Sequence, residues 1–194
     1  MSVLQEILKW DRECFKVINT QWTNSFFDQL FPFIRNAYFW LPLYLFLLVF
    51  IIINFNRSAW FWILFAVLTA ATSDLLSSHV IKEWVYRPRP CNDNVMMGYV
   101  RMLAAYCGKN SSFTSSHAVN HFAFAMFVFH TTKKLNLKWV WLLFPWALLI
   151  CYAQVYVGVH YPIDVIVGAL LGLAIGFAWA RFFNHYFSLI SPGK

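Results

Sequence analysis

Residues 38–55 read YFWLPLYLFLLVFIIINF, from Tyr38 to Phe55, eighteen residues without a charge. A run of that length and character crosses a hydrocarbon layer of about 30 Å as an α-helix. Lipid offers backbone groups no partner, so the chain must satisfy them internally, and helix is the sensible form. Four more apolar stretches follow. Ala59–Ile81 is interrupted only by Asp74 and His79, and Ser115–His130 carries His117, Asn120 and His121 near its start. Trp139–Val159 is free of charge, while Ile163–Phe183 begins near Asp164 and ends near Arg181. The fold class this predicts is an all-α membrane protein: a bundle of five transmembrane helices, or six if the short apolar piece Phe26–Ile34, broken by Pro32, also inserts.

Composition agrees. The chain has 194 residues, 60% hydrophobic and only 12% charged, against about 25% charged in a soluble domain. The net charge of +7 could serve nucleic acid, anionic lipid or an anion site. No long basic run or RNA-binding signature is present, which argues against nucleic acid. The four cysteines, Cys14, Cys91, Cys107 and Cys151, lack zinc-site spacing. Cys91 and Cys107 share a polar loop, where pairing depends on the compartment. The N-terminus mixes acidic and basic residues through Ser2–Lys16 and does not read as a signal peptide.

Residues 1–36 form an N-terminal amphipathic or interfacial segment, and residues 37–194 the helical bundle. Val3–Asn19 reads as an amphipathic helix, lying on the membrane surface or packed on other protein. The loop 82–114 is long enough to suggest function. Within it, Val95–Ala105 reads either as a short interfacial helix or as a loop folded over the bundle. Five crossings place Arg57, Lys133, Lys134, Lys138, Arg181 and Lys194 on one side with no acidic residue. The positive-inside rule assigns that side to the cytoplasm, so loop 82–114 faces outward, where a Cys91–Cys107 disulfide is feasible.

The same topology gathers ionisable residues on the outward face: Lys82, Arg87 and Arg89 after the second span, Ser115, Ser116 and His117 opening the third, Gln154–His160 ending the fourth, and Asp164 opening the fifth. Lys and Arg suit phosphate oxygens. Hydroxyls and free N–H groups at a helix start cradle anions. Two histidines allow one nucleophile and one general acid, and Asp164, four residues after His160, can orient it.

At these residues the chain resembles the type 2 phosphatidic acid phosphatase superfamily, which includes membrane lipid phosphatases and soluble vanadium haloperoxidases. Its Lys, six residues, Arg-Pro pattern is met by Lys82 and Arg89-Pro90. Its Pro-Ser-Gly-His is met partly by Thr114-Ser115-Ser116-His117. Its Ser-Arg, five residues, His, three residues, Asp is met by His160 and Asp164, with Ala153-Gln154 where Ser-Arg would stand. The resemblance covers about Ala59–Phe183. It implies that Lys82, Arg89 and Ser115 bind phosphate, with Ser116 offering its backbone N–H. His117 would protonate the leaving oxygen and His160 attack phosphorus, oriented by Asp164, with a phosphohistidine intermediate and neither metal nor cofactor. Gln154 removes one cation from the pattern, for which Arg87 or Arg101 are candidate substitutes.

Several residues carry two readings. Asp74 either braces the site or is a satisfied carboxyl between helices. Arg87 is a site residue or a solvated arginine. Asn120 and His121 orient the third helix. Gly168, Gly172 and Gly176 form a small-residue packing face. The function expected is metal-independent hydrolysis of a lipid phosphomonoester or pyrophosphate in a bacterial inner membrane, with the active site facing the periplasm. Candidate substrates are undecaprenyl pyrophosphate, phosphatidylglycerol phosphate, phosphatidic acid and lipid A phosphate. The alternatives are a non-catalytic lipid-phosphate binding or translocating protein, and a phosphotransferase.

Overall fold

The computed structural model describes residues 2–189, all of them helix, turn or loop; Lys194, one of the cations expected on the cytoplasmic side, lies outside these. Helix α1 (Val3–Lys16) opens with a reciprocal cap between Ser2 and Gln5, and α2 (Ser25–Ile34) is capped by the Asn24 side chain. Pro32 does not break α2. It sits inside the last turn, where the helix ends two residues later and little remains for a missing N–H to disrupt.

The apolar runs 38–55 and 59–81 join in one helical stretch, α3 (Leu41–Asp74), extended by a π-helical segment Leu75–Ile81 and a last turn α4 (Lys82–Trp84). Asn56, with φ 45° and ψ −125°, interrupts the helical backbone. The chain reverses there. Tyr44 before it and Ser78 beyond it contact the first half of α5 (Ser116–Thr132), at His121 and Ser116, while Trp62 reaches Thr131 at its end. The two predicted spans are therefore the limbs of a helical hairpin.

Helix α5 is at the centre, held between α3, α6 (Leu143–Tyr156) and α7 (Pro162–Tyr186). The expected glycine face packs α7 onto it. A Cβ at Gly172 would collide with the Val119 carbonyl oxygen, and one at Gly176 with that of Ala123, so only glycine permits this backbone approach. Among the described residues, three helical stretches are long and apolar enough to cross a membrane, Ala37–Trp84, Lys138–Tyr156 and Pro162–Tyr186. Leu45, Phe46, Ile53, Leu64 and Leu170 face outward from them, as lipid-facing side chains do.

The polar connections gather at the end of the bundle opposite the Asn56 turn. Loop 82–114 is folded over it, with Met96 fully buried and Leu103 N–H bonded to the Val157 carbonyl. Val95–Ala105 forms turns rather than a helix. Cys91 and Cys107 are joined in a disulfide with Cα atoms 6.1 Å apart. Helix α1 packs on the same end: Asp11 and Phe15 are buried, while Val3, Leu4 and Trp10 stay exposed.

Candidate active site

The start of α7 fixes Asp164. Pro162 takes the first helical turn, where its missing N–H costs nothing. Two residues on, Asp164 Oδ2 accepts the Tyr161 N–H at 3.0 Å. The carboxylate is fully buried and takes two further bonds: Ser112 Oγ donates to Oδ2 at 2.5 Å and Arg87 Nη1 to Oδ1 at 2.6 Å. Arg87 spans onward to the buried Asp11, 2.5 Å away, and lies over the Tyr161 ring at 4.1 Å. Asp11 is also tied to the Ile163 N–H at 2.9 Å. Arg87 is thus neither solvated nor in the cavity; it braces Asp164 from behind. Burial raises the Asp11 carboxyl, with Arg87 opposing that shift.

His160 lies in the α6–α7 turn, 2% exposed. Its Nδ1 is 3.8 Å from Asp164 Oδ2 and 3.4 Å from Ser112 Oγ. The expected His160–Asp164 contact therefore runs through Ser112, whose hydroxyl accepts from Nδ1–H and donates to the carboxylate. That tautomer leaves the Nε2 lone pair free, 3.3 Å from Arg89 Nη1. Burial, with the Arg89 charge adding to it, pushes His160 down to about 4 against the pull of Asp164, so the imidazole is neutral near neutral pH.

Arg89 is held by Asn110, through its carbonyl at 3.3 Å and its Oδ1 at 2.8 Å, and by the Val159 carbonyl at 3.3 Å. Lys82 Nζ donates to Ser116 Oγ at 2.8 Å; Ser116 meets Ser78 at 2.9 Å, and Ser78 donates to Asp74 at 2.9 Å. Asp74 is exposed and connects to the site through this chain, rather than being a carboxyl buried between helices. The His117 ring, parallel to that of His121 at 6.2 Å, faces the same space. Together Lys82, Arg89, Ser116, His117 and His160 line one polar cavity of about 440 Å³, with Arg35, Ser78, Tyr106 and Asn110.

Other expected residues fall elsewhere. Ser115 is fully buried beneath the start of α5, with a hydroxyl that has no partner among the described residues; it is the side chain of Ser116 that reaches the cavity. Gln154 is fully buried, and its Oε1 accepts from Arg35 Nε at 3.2 Å. Asn120 and His121 line a second, apolar cavity. Arg101 is paired with Asp28 at 2.6 Å and is not a substitute cation. Sequence reasoning missed Ser112, Asn110, Ser78, Asp11 and Arg35. They lie outside any spacing pattern, and only Ser112 and Asn110 belong to the loop already marked as functional.

The family model described as the PAP2 superfamily matches residues 60–187. The chain is 26% identical over 174 residues to the lipid A 4'-phosphatase of Porphyromonas gingivalis, covering 89% of this chain and 72% of that protein. Among solved structures it is similar to Aquifex aeolicus LpxE, with TM-score 0.62, 28% identity, and 87% and 93% of the two chains covered. It is also similar in fold to a transmembrane PAP2-type phosphatidylglycerolphosphate phosphatase of Bacillus subtilis, with TM-score 0.67, 23% identity, and 93% and 87% covered. A match over most of the bundle, from α3 to the end of α7, accounts for the helical order, the buried histidine and the cation-lined cavity together: the chain belongs to the PAP2 superfamily and is a membrane-embedded phosphatase.

Proposed function

We propose that the protein hydrolyses a lipid phosphomonoester or pyrophosphate through a phosphohistidine intermediate, without a metal. The carrying observation is the single cavity that joins Lys82, Arg89 and Ser116 to His117 and His160. Lys82 and Arg89 hold the phosphoryl oxygens, and the start of α5 adds its dipole. His160 Nε2 attacks phosphorus while Asp164, through Ser112, stabilises the imidazolium that forms. His117 donates the proton to the departing lipid oxygen. Water then attacks the phosphohistidine, with the now basic His117 taking its proton. Fixed cations around the transferring group are the main source of rate, which leaves no step that calls for a metal.

A lipid substrate is supported by the second cavity, about 360 Å³ and lined by Tyr44, Leu47, Trp62, Ala66, Asn120 and Phe124. It lies between the limbs of α3 and the helix that opens at Ser116, where an acyl chain could follow the headgroup. The similarity to a lipid A 4'-phosphatase favours a phosphorylated lipid of that kind; undecaprenyl pyrophosphate, phosphatidylglycerol phosphate and phosphatidic acid fit the same chemistry. The excess of Arg57, Lys133, Lys134 and Lys138 at the opposite end supports an inner-membrane orientation with the site facing the periplasm, where the Cys91–Cys107 disulfide also belongs.

The test is phosphate release from purified protein in detergent, given a panel of lipid phosphates and compared with His160→Ala. Release abolished in that variant is expected. No release above the variant from any substrate would leave a lipid-phosphate binding or translocating protein. Transfer to an added alcohol without free phosphate would mark a phosphotransferase.

A further inference from the structure

The cations at the outward end fall into two sets. Among the described residues, Arg12, Arg87 and Arg101 are paired with Asp93, Asp11 and Asp164, and Asp28. Arg35, Lys82, Arg89 and the exposed Lys109 have no carboxylate within ion-pair distance among the described residues, and all four line the 440 Å³ cavity. Unbalanced positive charges gathered around one hollow repel one another; the Arg35 charge acts to lower the Arg89 guanidinium, behind the larger effect of burial. They persist where an anion completes the site.

Arg35 is held in place to meet one. It closes the last turn of α2, donating its backbone N–H to the Phe31 carbonyl at 3.1 Å. The preceding carbonyl, on Ile34, accepts from Trp40 Nε1 at 2.7 Å, and Phe31 and Ile34 are both buried. The side chain is steered by Gln154, whose Oε1 takes Nε. The two terminal nitrogens of the guanidinium remain for a ligand. The Gln154 amide nitrogen, buried, also has no acceptor among the described residues.

We propose that Arg35 is the third phosphate-binding cation of the site, delivered by α2 and aimed by Gln154. The inference rests on the phosphatase reading of the cavity and refines it. Position 154, neutral where the resemblance leads one to expect arginine, keeps its place in the site by holding an arginine from another helix. The N-terminal segment then becomes part of the phosphate site rather than an anchor alone.

Two measurements on the purified full-length protein test this: lipid-phosphate hydrolysis, and calorimetric binding of inorganic phosphate. Arg35→Ala should lower kcat/KM by about 10²–10³, the scale of one lost oxyanion donor, and weaken inorganic phosphate at least about tenfold. Arg35→Lys, which keeps the charge but not the fork, should fall between. Arg35→Ala with Gln154→Arg should regain at least about tenfold over Arg35→Ala in both measurements. A merely structural arginine would not give that regain. Arg35→Ala with phosphate affinity and kcat/KM within about threefold of the parent, or a double variant no better than Arg35→Ala, overturns the proposal. If the parent hydrolyses no lipid phosphate, the phosphatase reading fails, and phosphate binding still decides the role of Arg35.

Discussion

Removing Arg87 should unfold the end of the bundle that carries the cavity before it touches the chemistry directly. Its guanidinium bridges Asp11 at 2.5 Å and Asp164 at 2.6 Å, and both carboxylates have no solvent exposure. In Arg87→Ala the two anions stay buried without a cation. Breaking a buried pair by deleting one partner costs about 3–5 kcal/mol, and at this chain length each kcal/mol shifts the melting temperature by about 2–4 °C. A fall of about 6–20 °C is expected in detergent, followed by circular dichroism. Asp11→Asn leaves Arg87 with Asp164 and should cost about 1–3 kcal/mol. The double variant has no stranded charge at Asp11, so its loss should be smaller than the sum of the singles by roughly 2 kcal/mol. An Arg87→Ala protein melting within about 3 °C of the parent (half the smallest shift expected), or strictly additive losses, would refute the bridge as the brace of Asp164.

Three further outcomes can be checked. Ser112→Ala removes the relay between His160 and Asp164 and should lower kcat about 10–100-fold, the worth of a hydrogen bond to a charged group, with a lower melting temperature from the same lost buried bond; unchanged kcat in the folded variant would sink the relay. His160, held down to about 4 by burial, loses its nucleophilic lone pair only as pH falls through that value, so the kcat/KM profile should gain an extra unit of acid slope near 4; an extra unit near the ordinary 6.5 would count against a neutral buried imidazole. Reducing the Cys91–Cys107 bond, which closes a separation of 16 residues, should cost about 3 kcal/mol, read as a lower melting temperature with reductant; no change would show the bond is not made in the purified protein.

Much of the site was legible in the sequence because its chemistry is carried by local spacing at helix ends. Lys82 and Arg89 flank one turn, Ser116 and His117 open one helix, and His160 and Asp164 straddle the turn into another. Once the apolar runs were counted, these ends had to share a face, and the cavity contains Lys82, Arg89, Ser116, His117 and His160. Asp164 was expected to accept the His160 N–H directly; the structure interposes Ser112, and a loop hydroxyl 48 residues from His160 leaves no periodic trace. Ser115 was expected to supply the hydroxyl and Ser116 only its N–H, whereas the Ser116 side chain lines the cavity and Ser115 is buried: which hydroxyl faces the cavity depends on how α5 rotates against α7.

The sequence by itself determined an all-helical membrane bundle with its ionisable residues at the ends of the spans, since the absence of charge over a span's length and the satisfaction of backbone groups in lipid are local constraints. The tertiary structure alone decided the partners of the charges. In the sequence Arg87 stood as a candidate for the site, and Arg35 carried no signal at all. Arg87 is paired with two buried carboxylates, and Arg35 lines the cavity with none in reach among the described residues. That difference is electrostatic and comes from contacts across 76, 77 and 119 positions of chain, distances at which neither helical period nor motif spacing carries information.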